Sequence, residues 1–193
     1  MVLKIALTIL AVVVVLVAVI AARPAAFRVA RSTIIAAPAD VVFAQLNDFH
    51  RWLAWSPYEK IDPAMTRSFE GPGAGVGAVY QYAGDRKVGK GRLTLIESQP
   101  NRRVAIRAEF LEPFVATNLI ELTLEPRAEG VAVTWAMSGN NTFIFKAFSL
   151  LVNVDRMVGG EFERGLADLK RVSEEEASRH ATDRVGLAQP RSI

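Results

Sequence analysis

The chain has 193 residues, of which 51% are hydrophobic and 22% charged, so a packed domain with an apolar appendage is expected rather than a disordered or fibrous chain. A net charge of +3, with Lys and Arg scattered among acidic residues, leaves no nucleic-acid footprint. The absence of cysteine removes disulfides, thiolate metal sites and cysteine nucleophiles together.

The first element is apolar from Ile5 to Ala22, with Thr8 the one polar residue. About eighteen residues rising 1.5 Å each make about 27 Å, close to the ~30 Å hydrocarbon core, so residues 1–26 are expected to be a single-pass anchor and short linker. A cleaved signal peptide is the rival, with Lys4 as a thin basic start and Val19, Ala21 and Ala22 as a passable cleavage site. Lys4 lies on one side and Arg23, Arg28 and Arg31 on the other, which leaves the side of the soluble domain open.

A domain is expected over residues 27–176. Phe27–Ile35 alternates as a strand, and Pro38 and Asp40 then open a short helix carrying Val41, Val42, Phe43 and Leu46. The aromatic stretch of Phe49, Trp52, Trp55 and Tyr58 follows, as a lid, a membrane-facing surface or an anchor to the core. Strands are expected at Met65–Phe69, Ala78–Ala83, Gly91–Glu97, Arg103–Phe110, Thr117–Leu124 and Val131–Ser138, joined by short connections and therefore antiparallel. The glycines between Gly71 and Gly77 form no phosphate loop, since no Gly-Lys-Ser/Thr ending follows and a strand comes next. From Phe143 helical spacing returns, with Val158, Phe162, Leu166, Leu169 and Val172 on one stripe. Residues 177–193 read as a flexible polar tail.

Alternation also predicts the inner face of the sheet. Leu124 is set opposite Val131, Phe110 opposite Asn118 and Leu95 opposite Val104, with Arg107 facing Glu121 outside. Tyr80, Tyr82, Leu93, Leu95, Ile106, Phe110, Asn118, Ile120, Trp135 and Met137 then look inward. Such a face either walls a ligand cavity or fills a core in which Tyr and Trp find backbone partners.

The run Asp48-Phe49-His50-Arg51-Trp52-Leu53-Ala54-Trp55-Ser56-Pro57-Tyr58-Glu59-Lys60 resembles the START-like superfamily, in its polyketide cyclase/dehydrase and lipid-transport branch. So do Gly75 to Tyr80, Glu109 to Phe114 with Ala116-Thr117-Asn118, and Val158 to Lys170. The resemblance spans roughly Phe27 to Glu176. It implies an α+β helix-grip fold, a curved antiparallel sheet wrapped around a long C-terminal helix, and it transfers no universal catalytic residues.

The candidate ligand-binding residues are Trp52, Trp55, Tyr80, Tyr82, Phe110, Asn118, Trp135, Met137, Phe162 and Leu166. Tyr80, Tyr82 and Asn118 are expected at a guest's polar end. No catalytic residue, cofactor or metal is assigned: His50 has no relay partner at a telling spacing, and converging metal ligands are not visible. The expected role is binding of a hydrophobic small molecule or lipid by a membrane-tethered domain. A cyclase/dehydratase-like enzyme would gain from a buried, pKa-shifted acid or base inside the cavity, which the inner face does not obviously supply, and a protein-interaction module would have a filled core.

Overall fold

A computed structural model describes residues 1–150 and 152–187, and the side chains up to residue 183. Helix α1, Val2–Ala22, contains an 18-residue stretch of mean hydropathy 3.2 and has Ile20 as its one buried residue. Strand β1, Ala26–Ile35, follows after three residues. Helices α2 (Ala39–Asn47), α3 (Phe49–Trp52) and α4 (Tyr58–Ile61) come next. The strands β2 (Thr66–Glu70), β3 (Val79–Ala83), β4 (Lys90–Gln99), β5 (Arg103–Glu112), β6 (Ala116–Arg127) and β7 (Gly130–Asn140) then run without interruption. Helices α5 (Phe143–Phe148) and α6 (Val154–Leu187) end the described chain.

The seven strands form one antiparallel sheet in the order β1-β7-β6-β5-β4-β3-β2, with α6 packed on its inner side. This is the α+β helix grip expected from the sequence, preceded by an apolar helix. Its core joins Val29, Leu95, Ile106, Leu122, Val133 and Trp135 of the sheet to Phe162, Leu166 and Leu169 of α6 and to Val42, Leu46 and Phe49.

The sheet faces are as expected, but the partners are not. Leu124 pairs with Val133, Ala108 with Asn118 and Leu95 with Ile106, each displaced by two residues from the expected register. A two-residue displacement keeps every side chain on its face, so alternation cannot detect it. The turns decide instead. Arg127 pairs with Gly130 around a two-residue loop, and Gly130 has φ 137°, a conformation that favours glycine. A bulge between Leu95 and Glu97 leaves Ile96 exposed. As a result Arg107 lies opposite Leu119, not Glu121, and Glu121 is bound instead by Arg103.

Of the three readings of the aromatic stretch, Trp52 and Trp55 follow the anchor to the core: both are buried, and their indole N–H groups donate to Leu46 O at 3.1 Å and Gln45 O at 3.3 Å. One further expectation is corrected. Residues 177–187, expected in a polar tail, continue α6 instead. The good helix formers Glu174 to Ala177 and the i,i+4 pairs Lys170–Glu174 and Arg171–Glu175 carry the helix beyond its apolar stripe. Residues 188–193 of that tail lie outside the described residues.

Candidate functional site

The interior is not completely filled. Between the sheet and the start of α6 lie two adjoining chambers, an inner one of about 230 Å³ and an outer one of about 250 Å³. Val88, Phe110 and Met137 line both and form the partition. Each chamber alone falls below the roughly 300 Å³ where small-molecule sites begin, and the two together reach that range.

Aromatic packing builds the inner chamber. Trp135 of β7 stacks on Phe162 of α6 with ring centroids 4.5 Å apart and planes 10° from parallel. Trp52 and Trp55 meet at 4.8 Å, and Trp55 meets Trp135 edge-on at 5.6 Å. Buried Gly165 lets α6 come this close, because a Cβ there would stand 2.7 Å from the Trp135 ring. Leu93 and Ile120 supply the aliphatic wall. The Trp135 indole N–H is buried and has no hydrogen-bond partner among the described residues.

One part of the inner wall is polar. The Tyr80 hydroxyl donates to Glu59 Oε1 at 2.5 Å, while Arg67 Nε donates to Glu59 Oε2 at 2.6 Å. Arg67 is itself held by the carbonyl of Met65 at 2.7 Å. The Glu59 side chain is only 7% exposed, so its charge is compensated by Arg67 rather than by water. Burial, reinforced by the neighbouring Glu59 carboxylate, pushes the Tyr80 phenol well above its ordinary value, and burial alone pushes Tyr82 up to about 12. Both phenols are therefore neutral hydrogen-bond donors at neutral pH.

Seven of the candidate residues, Trp52, Tyr80, Tyr82, Phe110, Trp135, Met137 and Phe162, line the inner chamber. Asn118 lines the outer one, where its amide lies 3.7 Å from Met137 Sδ. Trp55 and Leu166 line neither chamber and pack within the core. Sequence reasoning missed Glu59. It sits on a four-residue helix with no periodicity to read, and its phenol partner lies 21 residues further on. The signal available was a Glu and an Arg flanking Pro63 beside an aromatic-rich stretch. His50 stacks on Phe69 at 4.1 Å and meets Asp48 Oδ1 at 2.9 Å, away from both chambers.

The outer chamber opens at the end of the sheet that holds the start of β1, the end of β7 and the β5–β6 turn. Its rim includes Phe114, Val115, Ile144, Phe148 and Met157. The opposite end carries the β2–β3, β4–β5 and β6–β7 connections.

Solved structures share this architecture at low identity. A protein of unknown function from Staphylococcus aureus superposes with a TM-score of 0.59 at 14% identity, covering 81% of this chain and 98% of its own. The Aha1 dimer from Colwellia psychrerythraea gives 0.55 at 14%, covering 77% and 96%. The di-domain ARO/CYC StfQ from the steffimycin biosynthetic pathway gives 0.59 at 12%, covering 80% of this chain and 52% of that one. No curated protein sequence matches. At these identities the likeness speaks for the fold alone, and it is the sequence model for polyketide cyclase / dehydrase and lipid transport, matched over residues 26–174, that makes this chain a member of that family.

Proposed function

We propose that the chain is a membrane-tethered protein that binds a hydrophobic small molecule or lipid between the sheet and α6. The observation that carries this reading is the pair of adjoining chambers, apolar over most of their walls and left open by the packed aromatic residues around them. A guest's apolar body would lie against Leu93, Ile120, Trp135 and Phe162. Its polar group would meet the neutral phenols of Tyr80 and Tyr82 and the Glu59 carboxylate. The length, hydropathy and almost complete exposure of α1 support the tether, because a side-chain surface of this kind is stable in lipid and costly in water.

Native mass spectrometry tests the binding reading on the full chain, extracted gently from membranes of its own type of cell. An apolar mass should accompany the wild-type protein and be lost from Ile120→Trp, which fills the inner chamber. A consistently empty protein would favour the interaction module, and a mass retained equally by Ile120→Trp would exclude the inner chamber as its seat.

Glu59 favours a second reading, a cyclase/dehydratase-like enzyme, since it places a carboxylate within a wall of the cavity where such chemistry would need an acid or base. Both of its oxygens are engaged by Tyr80 and Arg67, so a proton would have to pass through that network. On this reading Glu59→Gln abolishes turnover of an aromatic polyketide-like substrate while weakening its binding far less. Full turnover by that variant would remove Glu59 from the chemistry.

A further inference from the structure

We propose that the mouth end of the grip docks on the lipid bilayer beside α1, with the β5–β6 turn and α5 seated among the headgroups, so that the outer chamber opens toward lipid. This rests on the reading of α1 as a membrane span and extends it from a tether to an oriented contact.

Four observations converge on that end of the molecule. Large apolar side chains crowd the rim unpaired: Val115 is 75% and Ile144 69% exposed, with Phe114, Phe143 and Met157 beside them. A contiguous patch of this kind marks an interaction surface rather than a solvated one. Second, α5 is fastened to the end of α1. Lys146 Nζ donates to Ala21 O at 3.4 Å, and Arg23 donates to the carbonyl and hydroxyl of Ser149 at 3.3 and 3.1 Å. Third, only residues 23–25 separate α1 from β1, and Asn141 N, just beyond β7, bonds back to Ala25 O at 2.8 Å. Where α1 leaves the hydrocarbon, α5 must therefore lie at the interface. Fourth, the charges suit an anionic surface. Glu112 and Asp155 at this end are engaged by Lys90 and Arg31, whereas Arg23 and Lys146 bond only to neutral oxygens among the described residues and keep their charge for headgroups. Apolar groups seated ~5–10 Å into the headgroup boundary are the usual mode of such contacts.

The chain has no cysteine, so single introduced cysteines report cleanly. Full-length Val115→Cys and Ile144→Cys, each carrying an environment-sensitive fluorophore, are reconstituted into phosphatidylcholine/phosphatidylglycerol vesicles. Val76→Cys serves as the control, being exposed and apolar but in the β2–β3 connection at the opposite end. Labels at Val115 and Ile144 should be quenched by doxyl-labelled lipid and be several-fold less sensitive to aqueous iodide than the label at Val76. Iodide sensitivity equal to that at Val76 would overturn the proposal while leaving the tether intact. Shielding from both quenchers would overturn it in favour of a protein partner or second copy on this face. Failure of the chain to float with the vesicles would overturn docking and tether together. None of these outcomes bears on the cavity guest, which the mass measurement reads separately.

Discussion

Tyr80→Phe removes one oxygen from the molecule and leaves the ring in place against Phe49 and Phe69. What is lost is the hydrogen bond to Glu59, and with it the one donor among the described residues to Oε1 of a carboxylate that water barely reaches. Hydrogen bonds to charged groups contribute about 1.5–3 kcal/mol, against about 1 kcal/mol for neutral ones. A loss of about 2 kcal/mol is therefore expected, which for a domain of this size lowers Tm by about 4–8 °C. Thermal or urea unfolding in detergent, followed by the fluorescence of the three buried tryptophans, reads this loss directly. The decisive comparison repeats Tyr80→Phe in a Glu59→Gln background, where the acceptor is neutral and the loss should shrink to about 1 kcal/mol. Equal losses in the two backgrounds, or no loss in either, would refute the claim that the phenol serves the carboxylate.

Three other outcomes are expected. Because Tyr82 is raised to about 12 in the folded protein from an ordinary value near 10, the unfolded chain releases this proton first. Its stabilisation is then complete below about pH 10 and lost as pH rises toward 12, a slope that Tyr82→Phe should flatten in alkaline unfolding curves. Gly160→Ala should stabilise by about 0.5–1 kcal/mol, since its Cβ would meet nothing within 4 Å, whereas Gly165→Ala should destabilise by about 1 kcal/mol as overpacking against Trp135 and Pro57 outweighs the same helix gain. Denaturant midpoints of the pair check both signs at once. Arg67→Met, which leaves Glu59 without its cation, should cost about 2–3 kcal/mol, less than a fully buried pair because Arg67 is 22% exposed, and Glu59→Gln should recover part of that loss.

The parts of this architecture governed by periodicity were readable from the chain. Alternation placed Tyr80, Tyr82, Ile120 and Trp135 on the inner face, and helical spacing placed Phe162 and Leu166 on the gripped side of α6. Pair partners were not readable, because a period of two is blind to a shift of two and the deciding information sits in the Ala128–Glu129 loop and the Ile96 bulge. The polar corner was hidden for a different reason. Glu59, Arg67 and Tyr80 come from a short helix and two strands with no common pattern, and only the folded chain brings them together. Composition could say that the interior is apolar. Whether side chains fill it depends on how closely the sheet curls toward α6, a distance set by residues such as Gly165 that carry no hydrophobic signal at all.

The partition between the chambers has a kinetic consequence. Val88, Phe110 and Met137 obstruct passage with side chains rather than backbone, and the thioether of Met137 turns about three single bonds. On the proposed binding reading, a guest would step inward by rotamer changes while every strand pairing stays intact. On that reading residence time would depend on the side chain at position 137: a bulkier, stiffer residue would slow exchange in both directions, at a cost in stability because Met137 is buried in the core, and a smaller one would leave Val88 and Phe110 as the partition.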